Sequence, residues 1–216
     1  MRTGEQHVFA VEGIPIVIGE LLLFVVLLLL HWYIVAGIWI IIVLFSFYFF
    51  RNPKRNAPDE KGLIVSPADG IVVDISRAEE RFFLKEKVSR VSVFMSLFDV
   101  HVNRFPVEGE VVDTHYNKGK FYPANREKSS LLNEQNGVFI KTKSGKRLVV
   151  VQIAGIIARR IVCYAKKGSI FRKGEIFGLI MFGSRLDVYT PCSMKLNVKL
   201  GERVKAGETV IGVFDE

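Results

Sequence analysis

Cysteine is nearly missing from this 216-residue chain, which has only Cys163 and Cys192. They form no C-x-x-C pair, which excludes a disulfide scaffold and argues against a structural zinc site or a thioredoxin-type redox centre. Histidine is almost as scarce, at four residues. The chain has no H-x-x-x-H, no H-E-x-x-H and no carboxylate cluster at metal-loop spacing, so nothing in it reads as a metal site. A phosphate loop, a G-x-G-x-x-G turn and a G-x-S-x-G elbow are also lacking. Acidic residues are outnumbered, 22 against 30 Lys and Arg, for a net charge of +8. Half of the residues are hydrophobic, which excludes a disordered chain.

The apolar residues are unevenly spread. Residues 14–50 contain one charge, Glu20. A single helix of that length would measure ~55 Å, against a hydrocarbon core of ~30 Å. Two helices fit better, near 15–31 and 33–50, with His31, Trp32 and Tyr33 at the turn, where aromatic and imidazole groups suit a membrane interface. Each is short for a span, so the pair either crosses the bilayer or lies in one leaflet. No basic region precedes the run, as a cleaved signal peptide requires. Arg51, Lys54 and Arg55 follow it, and the positive-inside rule puts everything after residue 50 in the cytoplasm. Residues 1–50 therefore read as a membrane anchor and 51–216 as one further domain.

That second part holds all but one of the Lys and Arg residues and all but three of the acids, so it is more positive than the whole chain. Positive charge tied to a membrane suits an anionic lipid surface; the bland alternative is a solvated basic face. Nucleic acid is the other usual partner of such charge, but no helix-turn-helix, zinc finger or RNA-binding signature is present.

Strand patterns dominate this part. Apolar, β-branched runs recur at 70–75, 88–95, 109–112, 137–141, 147–153, 161–164, 176–181, 186–189 and 195–200. Short helices are expected at 98–103 and 129–134. Gly168–Gly178 and Gly201–Gly212 resemble each other, each with a polar turn before Gly-Glu and then an apolar strand. Paired hairpins of this kind occur in barrel-sandwich folds. The expected fold is a mostly β, barrel-sandwich-like single domain with few short helices behind an N-terminal apolar helical hairpin.

Few residues in it can carry chemistry. His101 follows an apolar strand, with Asp99 and Arg104 nearby, and reads as a tuned acid or base, or as a hydrogen-bonded structural histidine. Asp69, in Ser66-Pro67-Ala68-Asp69-Gly70, reads alone as a turn former. Gly183-Ser184 lies between two strands with little polar sequence around it. A serine so placed is either a simple turn residue or a nucleophile able to attack the preceding carbonyl and form an ester by an N-to-O shift.

Taken in order, these pieces resemble the phosphatidylserine decarboxylase family in its short bacterial and archaeal form. The resemblance runs from the apolar pair and Phe50-Arg51-Asn52-Pro53, through Ser66–Gly70 and Met95–Arg104 with Pro106, to Asn133–Asn136 and Phe182-Gly183-Ser184-Arg185. It implies a proenzyme that cuts itself between Gly183 and Ser184, giving a large chain, 1–183, and a small chain, 184–216, that stay together as a heterodimer. Ser184 would become a covalent pyruvoyl group, the only cofactor, with neither metal nor pyridoxal phosphate. Its ketone would form a Schiff base with phosphatidylserine in the membrane, releasing CO2 and phosphatidylethanolamine. By the same resemblance Asp69 matches the self-cleavage aspartate and His101 the histidine associated with decarboxylation.

The chain departs from the longer members at Arg104, where they carry a second histidine of the self-cleavage relay. Arginine is no general base near neutral pH. Either His101 does both jobs, or Asp69 acts more directly while Arg104 stabilises an oxyanion; a division leaving His101 mainly to decarboxylation is favoured. The alternative function is a membrane-tethered carrier, because Met194-Lys195-Leu196 resembles the Met-Lys turn of lipoyl and biotinyl domains. Lys195 would then be a modified swinging arm.

Overall fold

The computed structural model describes residues 7–119, 133–155, 160–181, 183–191 and 194–214. The chain divides into two compact units, Glu5–Lys54 and Arg55–Glu216.

The first unit is a helical hairpin. A single 3-10 turn, Val11–Gly13, leads into α1 (Ile14–Leu29), and α2 (Tyr33–Phe49) returns beside it. Pro15 stands in the first turn of α1, where its missing N–H costs no helical bond. His31 makes the reversal with a positive φ of 61°. The two helices are joined through the one charge of the run: Ser46 Oγ donates to Glu20 Oε1 at 2.8 Å, and Trp39 Nε1 donates to the Glu20 carbonyl at 2.9 Å. Most other side chains are apolar and outward-facing, including Leu22, Leu29, Ile34 and Ile41. Such a surface needs an apolar medium, and Val11–Leu29 is long and apolar enough to cross a bilayer, while Tyr33–Phe49 is shorter. At the end of α2, the Arg51 guanidinium lies 3.7 Å over the Tyr48 ring, as suits a water–lipid boundary.

The second unit is built of strands. They are β1 (Leu63–Val65), β2 (Gly70–Glu80), β3 (Glu86–Met95), β4 (Val102–Arg104), β5 (Gly109–Asn117), β6 (Gln135–Lys141) and β7 (Arg147–Ala154). They continue as β8 (Ile161–Cys163), β9 (Ile170–Phe171), β10 (Ile176–Ile180), β11 (Ser184–Thr190), β12 (Lys195–Leu196), β13 (Arg203–Val204) and β14 (Val210–Val213). One large sheet runs β13-β2-β3-β11-β7-β6-β5-β9, and two small ones run β4-β10-β8 and β1-β14-β12. The main core lies on one face of the large sheet and includes Val91, Val93, Met95, Val138, Val150, Leu186 and Val188, together with Phe105, which stacks on Phe171 and meets Phe177 edge-on. A smaller cluster, Val88, Val149, Val151, Ile153 and Tyr189, covers the other face. The mostly β fold with an N-terminal apolar helix pair is thus present.

Two local expectations change, and a third falls mostly outside the described residues. Residues 98–103 form no helix: a turn closed by Asp99 on Ser96 leads into β4, which pairs with β10. A three-residue strand is too short to show a period of its own, and its partner is over seventy residues away. The helix expected at 129–134 falls outside the described residues for 129–132, while Asn133 and Glu134 are not helical. The two Gly-Glu passages are not hairpins. Their arms pair elsewhere, β9 with β5 and β10 with β4 and β8, then β13 with β2 and β14 with β1 and β12. The two turns instead approach each other, with Gly174 Cα 3.4 Å from where a Cβ on Gly207 would stand.

Candidate active site

Ser184 is the first residue of β11, a central strand. It pairs with Met95 on β3 and with Ala154 on β7, and it is completely buried. Strand alternation turns Ser184, Leu186 and Val188 into the main core and Arg185, Asp187 and Tyr189 to the opposite face. The serine hydroxyl meets a weak acceptor, the Met95 sulfur at 3.9 Å.

Gly183, just before the strand, has φ of +64°. This left-handed conformation is open to glycine and costs other residues about 1 kcal/mol or more. Its N–H donates to His101 Nε2 at 3.3 Å. His101 Nδ1 lies 3.0 Å from the Asp99 carbonyl, which can only accept, so the proton resides on Nδ1 and the Nε2 lone pair faces Gly183. The ring is almost wholly buried. Its loop is braced by the Asp99 carboxylate, which accepts from the Ser96 N–H and hydroxyl and from Arg203 at 2.8 Å. The structure thus brings His101, Gly183 and Ser184 together.

Asp69 and Arg104 belong to a second group. Asp69 accepts from Arg55 at 2.7 Å and from the Ala206 N–H at 2.7 Å. Arg55 also reaches Glu208 at 3.1 Å. Arg104 donates to the Gly174 carbonyl at 3.0 Å. Burial and the neighbouring Arg55 cation lower Arg104 well below the ordinary guanidinium range, to about 10, while Asp69 and Glu208 hold it up. It remains a cation at neutral pH. Asp69 is positioned by Gly70, whose Cβ, if it had one, would stand 2.1 Å from the Phe94 carbonyl. That puts Asp69 at the end of β2, two strands from Ser184 and roughly 10 Å across the sheet. No hydrogen bond joins Asp69 to Ser184 among the described residues.

Residues that the sequence did not single out complete the surroundings. Arg55 and Glu208 make the charged group, and Met95, Asn103, Gln152 and Asn136 make a buried polar chain leading to Ser184. Gln152 carried a signal, as a lone polar residue inside the apolar strand 147–154. Phe182 and Cys192 fall outside the described residues. Cys163 has its thiol pushed up by burial, which leaves it a poor nucleophile. Lys195 stands in β12 opposite Val213, not at a hairpin tip. Among the described residues no group of His, Cys, Asp and Glu is placed to hold a metal.

The phosphatidylserine decarboxylase family model matches residues 42–212. Relatives named phosphatidylserine decarboxylase proenzyme include that of Geotalea uraniireducens, 47% identical over 205 residues, covering 95% of this chain and 96% of the relative. That of Syntrophotalea carbinolica is 47% identical over 212 residues, covering 98% and 99%. That of Syntrophus aciditrophicus is 44% identical over 208 residues, covering 94% and 96%. With the match running through both units and across Gly183-Ser184, the chain belongs to the phosphatidylserine decarboxylase family.

Proposed function

We propose that this chain is a self-processing decarboxylase that converts phosphatidylserine to phosphatidylethanolamine and CO2 with a pyruvoyl group made from its own Ser184. The observation that carries this reading is the buried Ser184 behind a left-handed Gly183 whose N–H rests on the lone pair of His101. The donor set suits the group: a serine removed from water, a glycine carbonyl with no side chain to shield it, and a neutral imidazole within reach.

His101 Nε2 takes the Ser184 hydroxyl proton, and Oγ attacks the Gly183 carbonyl carbon. The C–N bond breaks as the proton passes to the Ser184 nitrogen, leaving an ester and a free amine. Loss of the Ser184 Cα proton then expels Oγ from Cβ, and the Gly183 carboxylate departs. The resulting dehydroalanine hydrolyses, releasing ammonia. The pyruvoyl group supplies an electron sink for the carbanion left when CO2 is lost. His101, buried beside it, returns a proton to the substrate Cα. His101 thus serves in both stages rather than mainly in decarboxylation, a reading supported by its contact with Gly183 and by the arginine at position 104. Asp69 and Arg104 act indirectly: Asp69 offsets the part-buried Arg55 and the buried Arg104 and pins the Ala206 turn of the small chain to the large one.

Anchor and charge fit a lipid substrate. The apolar hairpin holds the enzyme in the membrane, the basic residues after it favour the cytoplasmic side, and the positive catalytic unit meets an anionic surface. The two chains stay associated through β11, β13 and β14. Intact mass spectrometry tests the reading. Two chains divided at Gly183–Ser184, the smaller blocked by pyruvoyl, are expected, and one uncut chain from Ser184→Ala. A Ser184→Ala protein still cut at that bond overturns it, and an uncut protein with modified Lys195 indicates the carrier instead.

A further inference from the structure

The buried chain of amides ending at Ser184 has a definite direction. The Val162 carbonyl can only accept, so the group 3.3 Å from it on Gln152 is Nε2. Gln152 Oε1 therefore faces Asn136, whose Nδ2 donates to it at 3.2 Å. Gln152 Nε2 also donates to Asn103 Oδ1 at 2.9 Å, which turns Asn103 Nδ2 the other way, toward Met95. There Nδ2 lies 3.7 Å from the same sulfur that Ser184 Oγ meets at 3.9 Å. Asn103, Gln152, Met95 and Ser184 are all fully buried. Two strong donors thus converge on one weak acceptor. The amide chain fixes the direction of the Asn103 N–H, and because that N–H meets only a thioether it is held ready for a better acceptor.

That acceptor arises during maturation. When Ser184 Cα loses its proton, the Cα–H pair becomes the Cα=Cβ bond, the Cβ–Oγ bond breaks and its electron pair leaves on oxygen. Negative charge then grows on Oγ and spreads over the new Gly183 carboxylate, inside an apolar core. Resting on the self-cleavage reading above, we propose that Asn103 Nδ2–H is the donor that stabilises this leaving carboxylate, and that it acts on the elimination rather than on the N-to-O shift before it.

The two steps separate chemically. Hydroxylamine cuts an ester, giving a Gly183 hydroxamate and a small chain that begins with an intact serine and a free amine. In Asn103→Leu, pyruvoyl formation should slow about 100-fold, the usual loss for one such donor. Hydroxylamine should still divide the accumulated chain at the wild-type rate, and the small chain's mass should be that of serine, not pyruvoyl. Asn103→Asp keeps the shape and removes the N–H, and should behave alike. Met95→Leu keeps the volume and removes the competing sulfur, so it should mature no more slowly than wild type. Wild-type maturation in both Asn103 variants overturns the proposal. So do a natively melting Asn103 variant that hydroxylamine cannot divide, and an equal slowing in Met95→Leu, which would make the effect one of packing. Wild-type protein that never divides at Gly183–Ser184 removes the underlying self-cleavage reading instead.

Discussion

On one face of β11, Ser184 meets a core of aliphatic side chains and neutral amides; on the other, one residue away, Arg185 and Asp187 form a fully buried, two-pronged ion pair at 2.8 and 2.9 Å. That second face continues with Arg90, paired with Asp74 at 2.9 Å and influenced by Asp187 and Tyr189. The difference separates two demands. A buried charge must be matched by a fixed partner, and the Arg185–Asp187 face meets that requirement permanently. A charge that develops only during a reaction is served better by oriented neutral dipoles that carry no net charge beforehand. Under the proposed self-cleavage, one strand, through its two-residue period, keeps permanent charge and transient charge apart.

The comparison is sharpened most by His101→Ala. It should slow chain division by 100- to 10,000-fold, the usual worth of a positioned base, while the melting temperature stays near wild type. Rapid division in this variant would break the assignment of the neutral face to chemistry. Next in size, Asp187→Asn leaves Arg185 buried without its counter-charge. It should lower unfolding free energy by about 3–5 kcal/mol in a denaturant titration, whereas the chain that folds should divide normally. Replacing both partners with apolar residues of similar volume should recover much of the loss.

A smaller effect comes from pH. Burial raises the Tyr189 hydroxyl on the charged face and the Cys163 thiol in the main core. For each acid the neutral form is favoured by folding, so the native state holds more protons than the unfolded chain above the ordinary values of 9.0 for the thiol and 10.0 for the phenol. Stability is therefore complete below pH 9 and falls above it, by up to about 1.4 kcal/mol per pH unit for each group. Melting temperatures from pH 8 to 11 should show this decline, and Tyr189→Phe should flatten part of it. The smallest effect on stability is expected from Gly183→Ala. A Cβ there meets nothing within 4 Å, so the cost of about 1 kcal/mol comes from φ alone, read as a slight drop in melting temperature.

Much of this arrangement is legible in the residues. The apolar run with its lone Glu20 gives the helical pair, and the β-branched runs give most strands of the large sheet, because both signals are periodic and local. The proposed direct participants, Gly183, Ser184 and His101, stand out through order and scarcity. The neighbours of Asp69 do not. Arg55 precedes it in a polar stretch, while Ala206 contributes only a backbone N–H, which no side-chain pattern can announce. Strand β4 was hidden for a similar reason: it is three residues long and takes its identity from β10. Asn103 sits within that strand, and only the pairing turns it toward Met95 beside Ser184.

The position of the bond before Ser184 has a consequence for assembly. Once the proposed cut is made, β11 begins at a new chain end yet stays clasped between β3 and β7, while β13 lies on β2 and β14 on β1. The precursor finds these partners as one molecule, with every strand tethered to the others. Two separated pieces would have to find them by diffusion, at a rate set by their concentration and without the closeness that covalent linkage provides. A protein divided in the proposed way would therefore be assembled once: it would reach a shape its separate chains recover poorly after unfolding, and its lifetime would be set by how slowly it comes apart.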